Sequence, residues 1–85
     1  MKYDLLIKRS AQKQLANIPR PNRDRIITAV RSLADDPRPA GVRKLTGRDA
    51  WRIRIGEYRI IYEIYDDALL VLVVSIGHRR DVYTR

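Results

Sequence analysis

The stretch from Trp51 to Tyr62 constrains this 85-residue chain more than any other. Trp51-Arg52-Ile53-Arg54-Ile55 alternates apolar and cationic side chains, the two-residue period of a half-buried strand. Gly56-Glu57 follows with the length and composition of a two-residue hairpin turn, glycine supplying the positive φ that such turns require. Tyr58 to Tyr62 then returns as a second strand. In that register Ile55 faces Tyr58, Arg54 faces Arg59, Ile53 faces Ile60 and Trp51 faces Tyr62. Two arginines placed directly opposite each other repel, so a sheet selected for stability alone would avoid the pair. The pairing predicts that an anion belongs on that face.

The rest of the chain reads as one small domain, residues 1–85, built around this hairpin. Tyr3 to Ile7 is a short apolar strand. Ser10 is placed to cap a helix through Ala11, Leu15 and Ile18, which Pro19-Arg20-Pro21 interrupts. Asn22 is placed to cap a second helix, whose apolar stripe is Ile26, Ile27, Val30, Leu33 and Ala34. Asp35 to Gly41, with two prolines, is a loop, and Lys44-Leu45-Thr46-Gly47 leads into the hairpin. Asp66-Asp67 marks a tight turn before Leu69 to Ile76, a nearly all-apolar run expected at a central position in the sheet. The predicted fold is α+β in the order β-α-α-β-β-β: a four-stranded, mainly antiparallel sheet with the two N-terminal helices packed on one face.

Alternation assigns the two faces. Trp51, Ile53, Ile55, Tyr58, Ile60, Tyr62 and Ile64 share the side under the helices, with Trp51 and Tyr62 as core partners across the hairpin. Arg52, Arg54, Arg59, Ile61 and Glu63 share the other. A two-residue turn at Asp66-Asp67 sets Arg59 opposite Val74 and puts Leu70, Leu72, Ile76 and His78, the one histidine, on the arginine face. A bulge or a longer turn would reverse that assignment.

Eighteen Lys and Arg against ten Asp and Glu leave a formal charge of +8, which fits a polyanionic partner. There is no cysteine, hence no disulfide framework and no thiolate metal site, and the expected setting is a reducing cytoplasm. The longest apolar run, Ala68 to Val74, is far too short to span a membrane. No metal or cofactor is expected, since no carboxylate–histidine cluster has ligand spacing and no Gly-rich phosphate loop is visible. Arginine stays protonated at neutral pH, so it can hold a phosphate bidentately but cannot act as a base. His78 and Tyr83, the latter beyond Arg79-Arg80, are the candidates for moving protons. Phosphate-holding arginines with one imidazole and one phenol suit metal-free RNA cleavage by the neighbouring 2′-hydroxyl.

Lys44-Leu45-Thr46-Gly47, the run from Trp51 to Tyr62, and the tail Ser75-Ile76-Gly77-His78-Arg79-Arg80-Asp81-Val82-Tyr83 together resemble the RelE/ParE superfamily of bacterial and archaeal toxins. The likeness covers essentially the whole chain and is stronger to the RelE branch, whose members cut mRNA in the ribosomal A site and are silenced by an antitoxin. What it implies here is a toxin of a type II toxin–antitoxin system, a ribosome-dependent, metal-free endoribonuclease. By position it carries over Arg52, Arg54, Arg59, Arg79 and Tyr83 as site residues. A well-known member has lysines where this chain has Arg52 and Arg54, which shifts proton transfer to His78, Tyr83 or the ribosome. Lys8, Arg43, Lys44 and Arg80 are further candidates for RNA phosphate contacts. The implied partners are a RelB-like antitoxin with an acidic segment, the ribosome and mRNA, with DNA reached only through the antitoxin. Two alternatives remain open: a ParE-like inhibitor of DNA gyrase, and an inactive homologue working only in an antitoxin–DNA complex.

Overall fold

A computed structural model describes residues 2–78, and Arg79, Arg80 and Tyr83 lie outside the described residues. The elements run β1 (Asp4–Ile7), α1 (Arg9–Ala16), α2 (Asn22–Ser32), β2 (Arg43–Lys44), β3 (Trp51–Ile55), β4 (Tyr58–Tyr65) and β5 (Leu70–His78). Among the described residues the sheet has five strands in the order β1-β5-β4-β3-β2, one more than the sequence predicts. The extra strand is only Arg43–Lys44, too short to show an alternation. β1 pairs parallel with β5, and every other pairing is antiparallel. The long apolar strand β5 is therefore internal, as expected of a segment apolar on both faces.

Both helices start at slightly different places than their capping residues suggest. Lys8 is the N-cap of α1 and Pro21 that of α2, neither with a side-chain cap, so Ser10 and Asn22 lie inside their helices. The apolar stripes decide where the helices lie. Ala11, Ile18, Ile26, Val30 and Leu33 pack against Ile60, Tyr62, Val71, Val73 and Ile76, all from one face of the sheet. Among the described residues, both helices contribute to the core on that one face.

The β3–β4 hairpin has the predicted register: Trp51↔Tyr62, Ile53↔Ile60, Arg54↔Arg59 and Ile55↔Tyr58, with Gly56 at φ 59°. The β4–β5 connection differs in two ways. Tyr65 pairs with Leu70, so the turn takes four residues, closed by Ala68 N–H to Tyr65 C=O at 3.2 Å and Leu69 N–H to Asp66 C=O at 3.2 Å. That slides the register by two and leaves every side chain on its predicted face. The second difference is a bulge: Tyr62 pairs with Val73 but Ile61 with Ser75, leaving Val74 as the extra residue. A one-residue insertion reverses the faces of everything beyond it. Leu70 and Leu72 stay on the arginine side, whereas Ile76 turns into the core, fully buried, and His78 turns with it. The Ile76 N–H donates to Gln14 Oε1 of α1 at 2.8 Å, so a helix side chain serves the irregular stretch of strand.

Candidate functional site

The register places four arginines on the face away from the helices. Arg54 is opposite Arg59, and Arg43 on β2 is opposite Arg52 on β3. Arg52 and Arg54 are two residues apart on one strand, so all four share a face. The second pair adds to the like charge that the hairpin alone sets side by side. Their environments differ. Arg43 and Arg54 are exposed, Arg52 is half-buried, and Arg59 is only 2% exposed, the one buried charged residue among the described residues. The buried cation is on the inner strand and the exposed ones are toward the β2 edge.

β2 covers β3 only at Trp51 and Arg52. Beyond that point a groove of about 450 Å³ opens, lined by Arg43, Arg52 and Arg54 with Ala40, Gly41, Ile53 and Ile55. Its far wall is the loop after α2, where Gly41 takes φ 87°, a left-handed conformation that glycine adopts without strain.

A polar clamp fixes this wall. Arg38 donates to both carboxylate oxygens of Asp66, at 3.0 and 3.3 Å, and Tyr3 Oη donates to the same carboxylate at 2.6 Å. The Arg38 guanidinium also lies 5.1 Å from the Trp51 ring centroid, a cation–π contact. Beside it, buried Tyr62 Oη donates to the Pro37 carbonyl at 2.7 Å. These contacts join the loop to the sheet at two points just before Ala40 and Gly41. The hydrogen bonds from Arg38, and then from Tyr3, hold the Asp66 carboxyl below the usual carboxylate range. Burial pushes the Tyr62 phenol up to about 12. Sequence reasoning did not find this clamp. Asp66 and Arg38 are 28 residues apart, and nothing local marks either as the other's partner.

Three predicted site residues are placed elsewhere. The bulge puts His78 opposite Tyr58 on the helix side, their rings edge to face with centroids 5.7 Å apart. There it lines a cavity of about 320 Å³ with Gln14, Asn17, Ile18, Tyr58, Ile76 and Gly77. The imidazole is thus separated from the arginine group by the sheet itself. Lys44 pairs with Trp51, and so takes the face opposite Arg43 and Arg52. Its Nζ lies 3.6 Å from Asp49 and 5.8 Å from the Trp51 ring centroid. Lys8 sits at the end of the edge strand β1, with β5 between it and β4. The arginine group that remains among the described residues is Arg43, Arg52, Arg54 and Arg59.

Comparison with known proteins bears on the family and the fold. A family model described as ParE toxin of type II toxin-antitoxin system, parDE, matches residues 5–83. A relative from Methanocaldococcus jannaschii that carries the name toxin RelE1 is 26% identical over 87 residues, covering 98% of this chain and 97% of the relative. The isolated Escherichia coli RelE toxin superposes with a TM-score of 0.78 at 26% identity, covering 96% of this chain and 92% of that one. A chain of the archaeal RelE–RelB complex from Pyrococcus horikoshii superposes with a TM-score of 0.83 at 27% identity, covering 93% and 97%. A family match from Leu5 to Tyr83, on a fold shared with these toxins over nearly its full length, establishes that the chain belongs to the RelE/ParE superfamily of toxins of type II toxin–antitoxin systems.

Proposed function

We propose that the protein is a ribosome-dependent endoribonuclease that cleaves mRNA in the A site and so arrests translation. The observation that carries this reading is the arginine face: cations paired across strands on the side of the sheet away from the helices, with Arg43 and Arg54 exposed there. Guanidiniums held this way suit a phosphodiester, which gains charge as its phosphorus becomes five-coordinate. In the proposed reaction the 2′-oxygen attacks the adjacent phosphorus, and the bond to the 5′-oxygen of the next nucleotide breaks. A 2′,3′-cyclic phosphate and a new 5′-hydroxyl result. Arg54 holds that phosphate, backed by the buried charge of Arg59, while Arg52, with Arg79, neutralises it. With His78 on the other side of the sheet, Tyr83 or the ribosome takes the role of moving protons. Arg79, Arg80 and Tyr83 enter through the likeness to the RelE branch. Orientation by ribosomal RNA would supply much of the rate, so naked RNA should be a poor substrate.

The RelE neighbours seen with RelB support an antitoxin partner; in this reading its acidic segment covers the arginine face, and any DNA contact is made through it. The net charge of +8 fits such a partner and a cytoplasmic site of action on the ribosome. Because Arg59 is buried, the cleaner test is Arg54→Ala, an exposed position. On programmed ribosomes the variant should lose cleavage while its thermal melt stays cooperative. Wild-type rates in that variant would remove the phosphate-clamp assignment.

A second reading has one observation in its favour: the family model that matches is the ParE one. A ParE-like protein would poison DNA gyrase, and it would induce DNA breaks and the SOS response instead of mRNA cleavage.

A further inference from the structure

β2 is two residues long and lies at the edge of the sheet, paired with β3 alone. So short a ladder does not fix a strand's place by itself. Yet its first residue, Arg43, lines the groove together with Arg52 and Arg54. What holds β2 must therefore lie largely outside it. After the strand, the Leu45 N–H donates to the Ala50 carbonyl at 2.9 Å. Before it comes the 37–42 loop, in which Val42 packs against the core and donates its N–H to the Pro39 carbonyl at 3.1 Å.

The polar clamp sets the direction of that loop. Asp66, in the β4–β5 turn, accepts two bonds from Arg38 and a third from Tyr3. The Arg38 backbone N–H is held as well, donating to Asp36 Oδ1 at 3.1 Å. Two cations approach the Trp51 ring: Arg38 from the loop at 5.1 Å and Lys44 from β2 at 5.8 Å. Trp51 is also the β3 partner of Lys44. One indole thus joins loop and strand on the face opposite Arg43 and Arg52. The Arg38 and Asp66 side chains are 42% and 55% exposed, and an ion pair so open to water adds little to global stability. A two-pronged guanidinium–carboxylate contact is nevertheless specific in direction, which a two-residue strand lacks on its own.

We infer that Arg38, Asp66 and Tyr3 are positioning residues that hold β2 and the groove wall in place, and so set the rate of cleavage without touching RNA. The inference rests on the ribonuclease reading and extends it to residues outside the arginine face. Arg38 acts through the placement of Arg43, five residues further along the chain.

The test combines spectroscopy with kinetics on Arg38→Gln, Asp66→Asn and the double variant. The protein has a single tryptophan, so the emission of Trp51 reports the clamp directly. Both single changes should shift that emission and speed hydrogen exchange in a peptide covering residues 39–44, and the double variant should go no further than Arg38→Gln. On programmed ribosomes Arg38→Gln should lower kcat roughly ten- to hundredfold with KM unchanged, the scale of a misplaced group. In an Arg43→Gln background the same change should lower kcat no further. A merely structural role would instead reduce the amplitude of a single turnover, through less folded protein, and leave its rate alone. Wild-type kcat in both single variants overturns the inference, as do effects of Arg38→Gln and Arg43→Gln that multiply. Unchanged exchange over 39–44 in the folded variants overturns it whether or not the protein cuts RNA. Faster exchange together with no cleavage by the wild type would remove the ribonuclease reading instead.

Discussion

Replacing Arg54 by threonine should make the protein more stable and abolish its cleavage activity. Arg54 stands directly opposite Arg59 on the neighbouring strand. Like charges so placed cost a few tenths to about 1 kcal/mol. Arg59 is 2% exposed, so water and salt screen its charge less than at an open surface. Threonine keeps a β-branched strand former at the position while removing the charge. For a domain of this size a gain of about 1 kcal/mol raises Tm by roughly 4–8 °C. The assay is a thermal melt followed by circular dichroism, at low salt and again near 1 M, where the Debye length shrinks to about 3 Å. The gain should be largest at low salt and shrink as salt rises. An unchanged or lower Tm at low salt would mean that the fold already neutralises the pair. The physical basis for an anion on this face would then be gone.

The remaining expectations concern the clamp and the histidine. Tyr62→Phe strands the buried Pro37 carbonyl and should cost about 1–3 kcal/mol in urea unfolding. In the wild type the raised Tyr62 value stabilises the fold fully below pH 10. That contribution is lost as pH climbs toward about 12, so the alkaline stability limb should be shallower in the Phe variant. Asp66, held low chiefly by Arg38, has the opposite sign. Its contribution is present above 3.8 and lost as pH falls through the lower folded value, so Asp66→Asn should flatten the acid limb of a stability–pH profile. His78→Gln should change cleavage by less than about tenfold, against the roughly 100- to 10,000-fold loss expected on removing a general acid or base. A loss in that larger range would return His78 to the chemistry.

How far the sequence could be read depends on how local the determining contacts are. The β3–β4 hairpin was legible because alternation and a Gly-containing turn specify register within a few residues, and with it the Arg54–Arg59 pair. The order of helices and strands followed from periodicity in the same way. The Val74 bulge was not legible, since nothing in an unbroken apolar run marks which residue will be skipped in pairing. That single residue moved His78 to the opposite face. β2 was missed because two residues carry no pattern, and with it the Arg43–Arg52 pair, which doubles the arginine face. The Arg38–Asp66 clamp rests on a contact between loops distant in sequence. The arginine face was thus half visible: the charges could be counted, but only the pairing of strands shows which of them stand opposite one another.

The most direct test of the ribonuclease account is to express the protein without its antitoxin and map mRNA 5′ ends across the transcriptome of arrested cells, alongside a reporter of the SOS response. Ends falling at a constant position within codons, absent for Arg54→Ala and without SOS induction, are what the account predicts. Intact messages together with DNA breaks and a strong SOS signal would contradict it and assign the arrest to gyrase.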